Sequence, residues 1–101
     1  MKILFICGNG VSSGMIAMRT QQAGKKEGDD TATEAYSYAE LSEVIDDYDA
    51  VLAAPQLKFQ ESFIRETCQE YGKPYAFISD MDYSTLNGVA CFAQAKKIIE
   101  G

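Results

Sequence analysis

The chain contains no histidine in its 101 residues. That absence removes a Cys–His dyad and all imidazole chemistry. Cations are scarce too: nine Lys and Arg stand against fifteen Asp and Glu, a net charge of −6. Such a chain lacks the clustered basic residues that general nucleic-acid binding requires. Cysteines are few and scattered, at positions 7, 68 and 91. Their odd number and wide spacing fit neither a disulfide framework nor a CxxC metal site, so reduced thiols in a cytosolic protein are expected. The acidic residues Asp29, Asp30, Asp80 and Asp82 match no metal motif and read as solvated loop carboxylates. No metal and no cofactor is expected. No apolar run approaches the roughly 20 residues needed to cross a bilayer, and no signal-peptide pattern is present. Direct membrane insertion is therefore not expected.

What is present is ordinary in bulk and specific at one place. With 47% hydrophobic and 24% charged residues, the chain has the composition of a soluble globular protein. Its length suits one domain over residues 1–101, with a core that needs no disulfides. The specific place is the junction of Ile3-Leu4-Phe5-Ile6 with Cys7-Gly8-Asn9-Gly10-Val11-Ser12-Ser13-Gly14. Residues 2–7 read as a short buried strand, and a helix begins near Ser13. A thiol at the carboxyl end of a strand, before a Gly-rich turn that opens a helix, lies where α/β sheets bind ligands. Turn amides and the helix N-terminus favour thiolate over thiol, and favour a phosphate dianion on that sulfur. Cys7 is the candidate nucleophile. Cys68 and Cys91 fall inside amphipathic helices and read as inert thiols.

Along the chain, strand-like and helix-like segments alternate. Residues 13–26 read as a helix with Ile16, Thr20 and Ala23 on its inner face. Residues 31–36 suit an edge strand. Ser37-Tyr38-Ala39-Glu40 has capping-box spacing and opens a helix through Tyr48, with Leu41, Val44, Ile45 and Tyr48 at i, i+3, i+4 and i+7. Residues 50–54 form a buried strand ended by Pro55. Residues 58–71 form a helix with Phe59, Phe63, Ile64 and Cys68 on or near its apolar face, stopped by Gly72 and Pro74. A fourth strand spans 75–78, a loop 79–86, and a last helix 87–100 capped by Asn87. The order βαβαβαβα predicts a three-layer α/β/α fold. Its four-stranded parallel sheet, in the order 2-1-3-4, is similar in architecture to low-molecular-weight tyrosine phosphatases. The switch point then lies at Cys7 and Ala54-Pro55. The sulfur is expected to be partly accessible there, with amides from Gly8 to Gly14 converging on a bound phosphate.

A phosphatase loop of the Cys-x5-Arg kind needs arginine six residues after the cysteine. Here that residue is Ser13, so the guanidinium that clamps the transferring phosphoryl group is missing. The loop can hold a phosphoryl group on sulfur but is poorly equipped to hydrolyse it. A phosphocysteine carrier, a phosphatase-like hydrolase and a non-catalytic flavodoxin-like or receiver-like binding module are the three readings of the residues. Ser12 and Ser13 serve equally as helix caps or phosphate ligands.

The chain resembles, over essentially its full length, the enzyme IIB domain of the lactose/cellobiose (chitobiose) class of the bacterial phosphoenolpyruvate-dependent sugar phosphotransferase system. The family pattern Cys-x-x-Gly-x-Ser-[Ser/Thr]-Ser is matched by Cys7, Gly10, Ser12 and Ser13, and departs at Gly14, where a serine is usual. Gly-Pro-Gln after strand three stands as Ala54-Pro55-Gln56, and Asp82-Tyr83 followed by Asn87-Gly88 resembles the loop before the last helix. The resemblance implies a relay in the cytoplasm, associated with the membrane through IIC. Cys7 takes a phosphoryl group from a phosphohistidine on IIA and passes it to a sugar, expected to be a disaccharide, held by the membrane permease IIC. The loop Gly8, Asn9, Gly10, Val11, Ser12, Ser13 and Gly14 would bind the phosphate, with Gln56 and Tyr83 as rim residues. The histidine missing here would be supplied by IIA.

Overall fold

The computed structural model describes residues 1–8 and 13–101; residues 9–12 lie outside the described residues. Four parallel strands, β1 (Lys2–Cys7), β2 (Ala32–Ser37), β3 (Ala50–Ala53) and β4 (Tyr75–Phe77), form one sheet in the order β2-β1-β3-β4. This is the predicted order, and it makes β2 an edge strand. The helices are α1 (Gly14–Lys26), α2 (Leu41–Val44), α3 (Glu61–Glu70), α4 (Asp80–Ser84) and α5 (Gly88–Glu100).

Alternation along β1 divides the core in two. Leu4 and Ile6 join Leu41, Ile45, Val51, Leu57, Ile64 and Cys68 on the α2–α3 side. Ile3 and Phe5 join Ile16, Ala17, Leu52, Ile78, Cys91 and Ala95 on the α1–α5 side. A sheet covered on both faces explains the unbroken apolar runs of β1 and β3. Glycine sets the spacing of α1 and α5: a Cβ on Gly88 would run into the backbone of Arg19 and Thr20, and one on Gly24 into the side chains of Thr31 and Phe92. Gly72, at φ 66°, ends α3 in the left-handed region, as its position before Pro74 predicts.

Four details differ from the sequence reading. The segment 79–86 contains α4 rather than a loop throughout. Ser79 caps α4 by accepting from the Asp82 N–H at 3.1 Å, and Asp80 and Asp82 sit in its first turn, where the helix dipole favours them. The helix predicted from Ser37 to Tyr48 is one α turn, α2, between two 3₁₀ turns. Asp46 and Asp47 occupy its C-terminal end, where the dipole disfavours carboxylates. The chain after β3 starts as a 3₁₀ segment, Pro55–Gln60, and only then becomes α3. This rotates Phe59 out to 74% exposure and leaves Phe63 at 39%, while Leu57, Ile64 and Cys68 are buried. On α1 the buried positions are Ile16, Ala17, Thr20 and Gly24, and Ala23 is half-buried.

Candidate functional site

Cys7 ends β1 at the carboxyl edge of the sheet, opposite Ser37 in the β1–β2 register. On its other side the β1–β3 ladder ends at Ile6 and Ala53, and the Ala54 N–H donates to the Ile6 carbonyl at 2.9 Å. The chain therefore leaves the sheet between β2 and β3, at the predicted switch point. Alternation assigns the Cys7 side chain to the face of Ile3 and Phe5, that of α1 and α5. Cys7 is fully buried, at 0% exposure, whereas the next residue, Gly8, is exposed. The accessible sulfur expected from sequence is thereby corrected. An interior strand is covered by helices on both faces of the sheet, so a strand end does not by itself expose a side chain.

The residues that flank 9–12, Gly8 and Ser13, are each held by a neighbour distant in sequence. The Ser37 hydroxyl donates to the Gly8 carbonyl at 3.1 Å. The Ser37 hydroxyl oxygen accepts from the Ala39 N–H at 3.2 Å, and the Ser37 N–H donates to the Glu40 carboxylate, which completes the predicted capping box. Ser13 is buried and occupies the N-cap position of α1 with φ −88° and ψ −6°. In that helical conformation its side chain makes no cap bond, because capping needs extended backbone. Its carbonyl accepts from the Ala17 N–H at 2.9 Å, and its hydroxyl lies 3.3 Å from the Tyr83 hydroxyl. Gly14, first residue of α1, is exposed, and a Cβ there would meet nothing within 4 Å. The usual serine would therefore fit. Asn9, Gly10, Val11 and Ser12, together with the expected convergence of loop amides, lie outside the described residues.

The two rim candidates share one feature. Exposed Gln56 and half-buried Tyr83 both line an open groove of about 750 Å³, with Pro55, Asp80, Met81 and Thr85. The groove runs between the 3₁₀ segment after β3 and α4. Tyr83 thus faces the groove while its hydroxyl reaches Ser13. Its placement depends on α4, which a Ser-x-x-Asp cap signal at Ser79 and Asp82 could have revealed. Leu86, after α4, holds a left-handed φ of 54°, and Asn87 then caps α5 by accepting from the Ala90 N–H at 3.0 Å. Sequence reasoning assigned Ser37 its cap but missed its bond to Gly8, since pairing register is not visible in local spacing.

The other cysteines differ from Cys7 in placement. Cys68 and Cys91 lie mid-helix, and burial pushes each thiol up to about 11. The first arginine after Cys7, Arg19, lines a separate cavity of about 420 Å³ with Gln22, Lys26 and the start of α5. Among the described residues no group of three or more Cys, Asp or Glu comes together as a metal site, and no helix is long and apolar enough to cross a membrane.

Comparison with known proteins bears on the family and the fold. The family "PTS system, Lactose/Cellobiose specific IIB subunit" matches residues 2–94. The chain is 24% identical over 98 residues to the PTS system oligo-beta-mannoside-specific EIIB component of Bacillus subtilis (strain 168), covering 97% of this chain and 95% of the relative. Among solved structures, the cellobiose-specific phosphotransferase IIB component protein from Borrelia burgdorferi is 34% identical with a TM-score of 0.81, covering 99% of this chain and 92% of that one. The lactose-specific IIB component domain from Streptococcus pneumoniae shares the fold, with a TM-score of 0.85 at 15% identity, covering 97% and 96% of the two chains.

Proposed function

The chain belongs to the lactose/cellobiose-specific IIB family of the sugar phosphotransferase system, and from that membership we propose that it is a phosphocysteine carrier with Cys7 as the phosphorylated residue. The observation that supports this best is the position of Cys7. It ends the central strand at the switch point, next to the segment that opens α1.

In the first step the Cys7 sulfur attacks the phosphorus of a phosphohistidine on IIA. The S–P bond forms as the P–N bond breaks, and the thiol proton goes to the departing imidazole. In the second step a hydroxyl of the sugar held by IIC attacks the same phosphorus. The S–P bond breaks, the thiolate leaves, and the hydroxyl proton passes to a base on the partner. The chain thereby acts as one component of a protein-phosphohistidine–sugar phosphotransferase, working in the cytoplasm against a membrane permease. Amides of residues 8–14 and the hydroxyls of Ser12 and Ser13 would hold the dianion, each charge-assisted bond contributing about 1.5–3 kcal/mol. Phosphoryl transfer asks mainly for positioning and charge stabilisation, so a site without acid–base side chains suffices. Because Cys7 is buried, docking of each partner must uncover the sulfur, and the groove at Gln56 and Tyr83, built from segments that follow β3 and β4, offers a docking surface at the same carboxyl edge of the sheet.

The test is incubation with phosphoenolpyruvate, the general phosphotransferase components and IIA, followed by mapping of the phosphate by mass spectrometry. Phosphate on Cys7, lost in Cys7→Ser and kept in Cys68→Ala, is the expected result. Phosphate on another residue, or full acceptance by Cys7→Ser, would sink the proposal.

A further inference from the structure

Charge is unevenly placed on this chain. Helices α1 and α5 carry Arg19, Lys25, Lys26, Lys96 and Lys97, five of the nine cations, against a single acid, Glu100. The other fourteen of the fifteen acids lie elsewhere, among them Glu43, Asp46, Asp47, Glu61, Glu66 and Glu70 on and beside α2 and α3. A chain of net charge −6 therefore has one cationic layer, and the sheet separates it from an acidic one.

Packing turns these cations into one surface. Gly88 sits against the backbone of Arg19 and Thr20, and Gly24 against Thr31 and Phe92, so α1 and α5 run closely side by side. Burial of Ile16, Ala17, Thr20 and Gly24 on α1 leaves Arg19, Lys25 and Lys26 exposed. Burial of Gly88, Cys91, Phe92 and Ala95 on α5 does the same for Lys96 and Lys97. The cleft between the helices consists of two adjoining cavities, about 420 and 450 Å³, which share Ala23, Lys26 and Val89. Arg19 lines the first and Lys96 the second, where Glu27 bounds the far end. Lys25 and Lys97 lie outside the cleft, so the charge spreads across both helices instead of lining one slot. Among the described residues none of the five cations forms an ion pair. Met15, Met18 and Val89 stand exposed among them.

Such a face asks for a broad anionic partner. Exposed apolar side chains gain nothing from a nucleic-acid backbone, but they enter the headgroup layer of a bilayer while the cations stay at its phosphates. Even along its shortest axis the Cα trace extends 20 Å, about two Debye lengths at 0.1 M salt, so the acids of the opposite layer are largely screened from whatever α1 and α5 meet. We propose that the outer face of α1 and α5 docks on an anionic phospholipid surface. The choice of lipid rests on the carrier reading of Cys7, which sets the chain against a membrane permease and hence beside the anionic cytoplasmic leaflet. Contact is peripheral, since among the described residues no helix is long and apolar enough to span a bilayer. It raises the effective concentration of the carrier in the layer where the permease lies.

The experiment sediments the full chain with vesicles of phosphatidylcholine alone, or of phosphatidylcholine and phosphatidylglycerol in equal parts. Wild type should bind only the anionic vesicles, and release them as salt rises from about 0.1 M to about 1 M. Each cation removed from the face should lower partitioning about fivefold, so Arg19→Gln/Lys26→Gln/Lys96→Gln should lose about a hundredfold. Lys25→Gln/Lys97→Gln, outside the cleft, repeats the test with about a 25-fold loss if the triple variant melts early. Lys58→Gln/Arg65→Gln, which removes two cations from the other face, should change partitioning by less than about twofold, because that layer is screened. Binding to neither vesicle overturns the inference and leaves the face to an acidic protein. Equal binding to both vesicles, equal loss per charge on the two faces, or tighter binding to a DNA duplex overturns it as well. None of these results touches the carrier reading. Absence of phosphate from Cys7, mapped without vesicles, overturns that reading on its own.

Discussion

Ser37 donates to the Gly8 carbonyl at 3.1 Å and stands opposite Cys7 in the β1–β2 register. One side chain therefore ends β2, opens the following 3₁₀ turn and fixes the first residue after Cys7. Ser37→Ala removes the bond to Gly8 and half the capping box together. Loss of the cap alone should lower stability by about 1–2 kcal/mol. Phosphoryl acceptance should fall as well, because Gly8 is no longer tied to β2. Chemical denaturation and IIA-dependent phosphorylation check the two effects separately. Unchanged phosphorylation at reduced stability would limit Ser37 to a cap.

The buried thiols make stability fall at alkaline pH. Cys68 and Cys91 are pushed by burial from an ordinary value of 9.0 to about 11. Tyr48, pushed up by burial and by the neighbouring Tyr36, Glu34 and Asp47, rises from 10.0 to about 12. In each case the unfolded chain loses its proton first, so the contribution is fully present below the unfolded value. It is then lost as pH rises through the window between the two values. Stability should decline from pH 9 toward 11 by up to about 1.4 kcal/mol per pH unit per thiol, with Tyr48 adding to the slope above pH 10. Urea titrations of wild type and Cys68→Ala across that range test it. An equal alkaline slope in both proteins would contradict the assignment to Cys68.

The same residues show what was legible in the chain. The cap at Ser37, the stop at Gly72 and the cap at Asn87 follow from local spacing, because each depends on residues within one or two turns, while strand order follows from the alternation of strands and helices. The sheet faces follow too, since alternation in β1 fixes both core clusters. The burial of Cys7 and the meeting of Ser13 with Tyr83 do not. They depend on residues 70 positions apart being brought to one edge by the crossover order. Phe59 is instructive in another way. Its apolar side chain suggested a core position on a helix, yet the Pro55 turn begins as 3₁₀ and swings it outward. The Asp80–Asp82 segment read as a loop because its acids were weighed as solvated charges, whereas in the first turn after Ser79 they favour a helix.

Gly88 should tolerate no side chain. A Cβ there meets the backbone of Arg19 and Thr20, which cannot swing aside as the end of a flexible side chain can. Gly88→Ala should cost about 1–3 kcal/mol by forcing α5 away from α1. Gly14→Ala makes the matched control. Its Cβ enters open space in the first turn of a helix, so stability should hold or rise by up to about 1 kcal/mol. Thermal denaturation of both variants decides the matter. Similar melting temperatures for the two would show that α1 and α5 can separate without loss.

Hydrolysis of aryl phosphates should be negligible. A phosphatase of this architecture needs a guanidinium six residues after the cysteine, and here Ser13 stands there, buried and 3.3 Å from the Tyr83 hydroxyl. Arg19 does not take its place, since it lines the cavity beside Gln22 and Lys26. Nor should Ser13→Arg create a phosphatase. A charged side chain forced into that enclosed position would displace Tyr83 or unfold the start of α1, since burial of an unpaired charge is strongly disfavoured. Assays with p-nitrophenyl phosphate should therefore show, for wild type and Ser13→Arg alike, no Cys7-dependent turnover approaching the enzyme median of about 10 s⁻¹. Turnover of that size in wild type, abolished by Cys7→Ser, would show that the loop hydrolyses phosphate without the guanidinium. The carrier reading would then give way to a hydrolase.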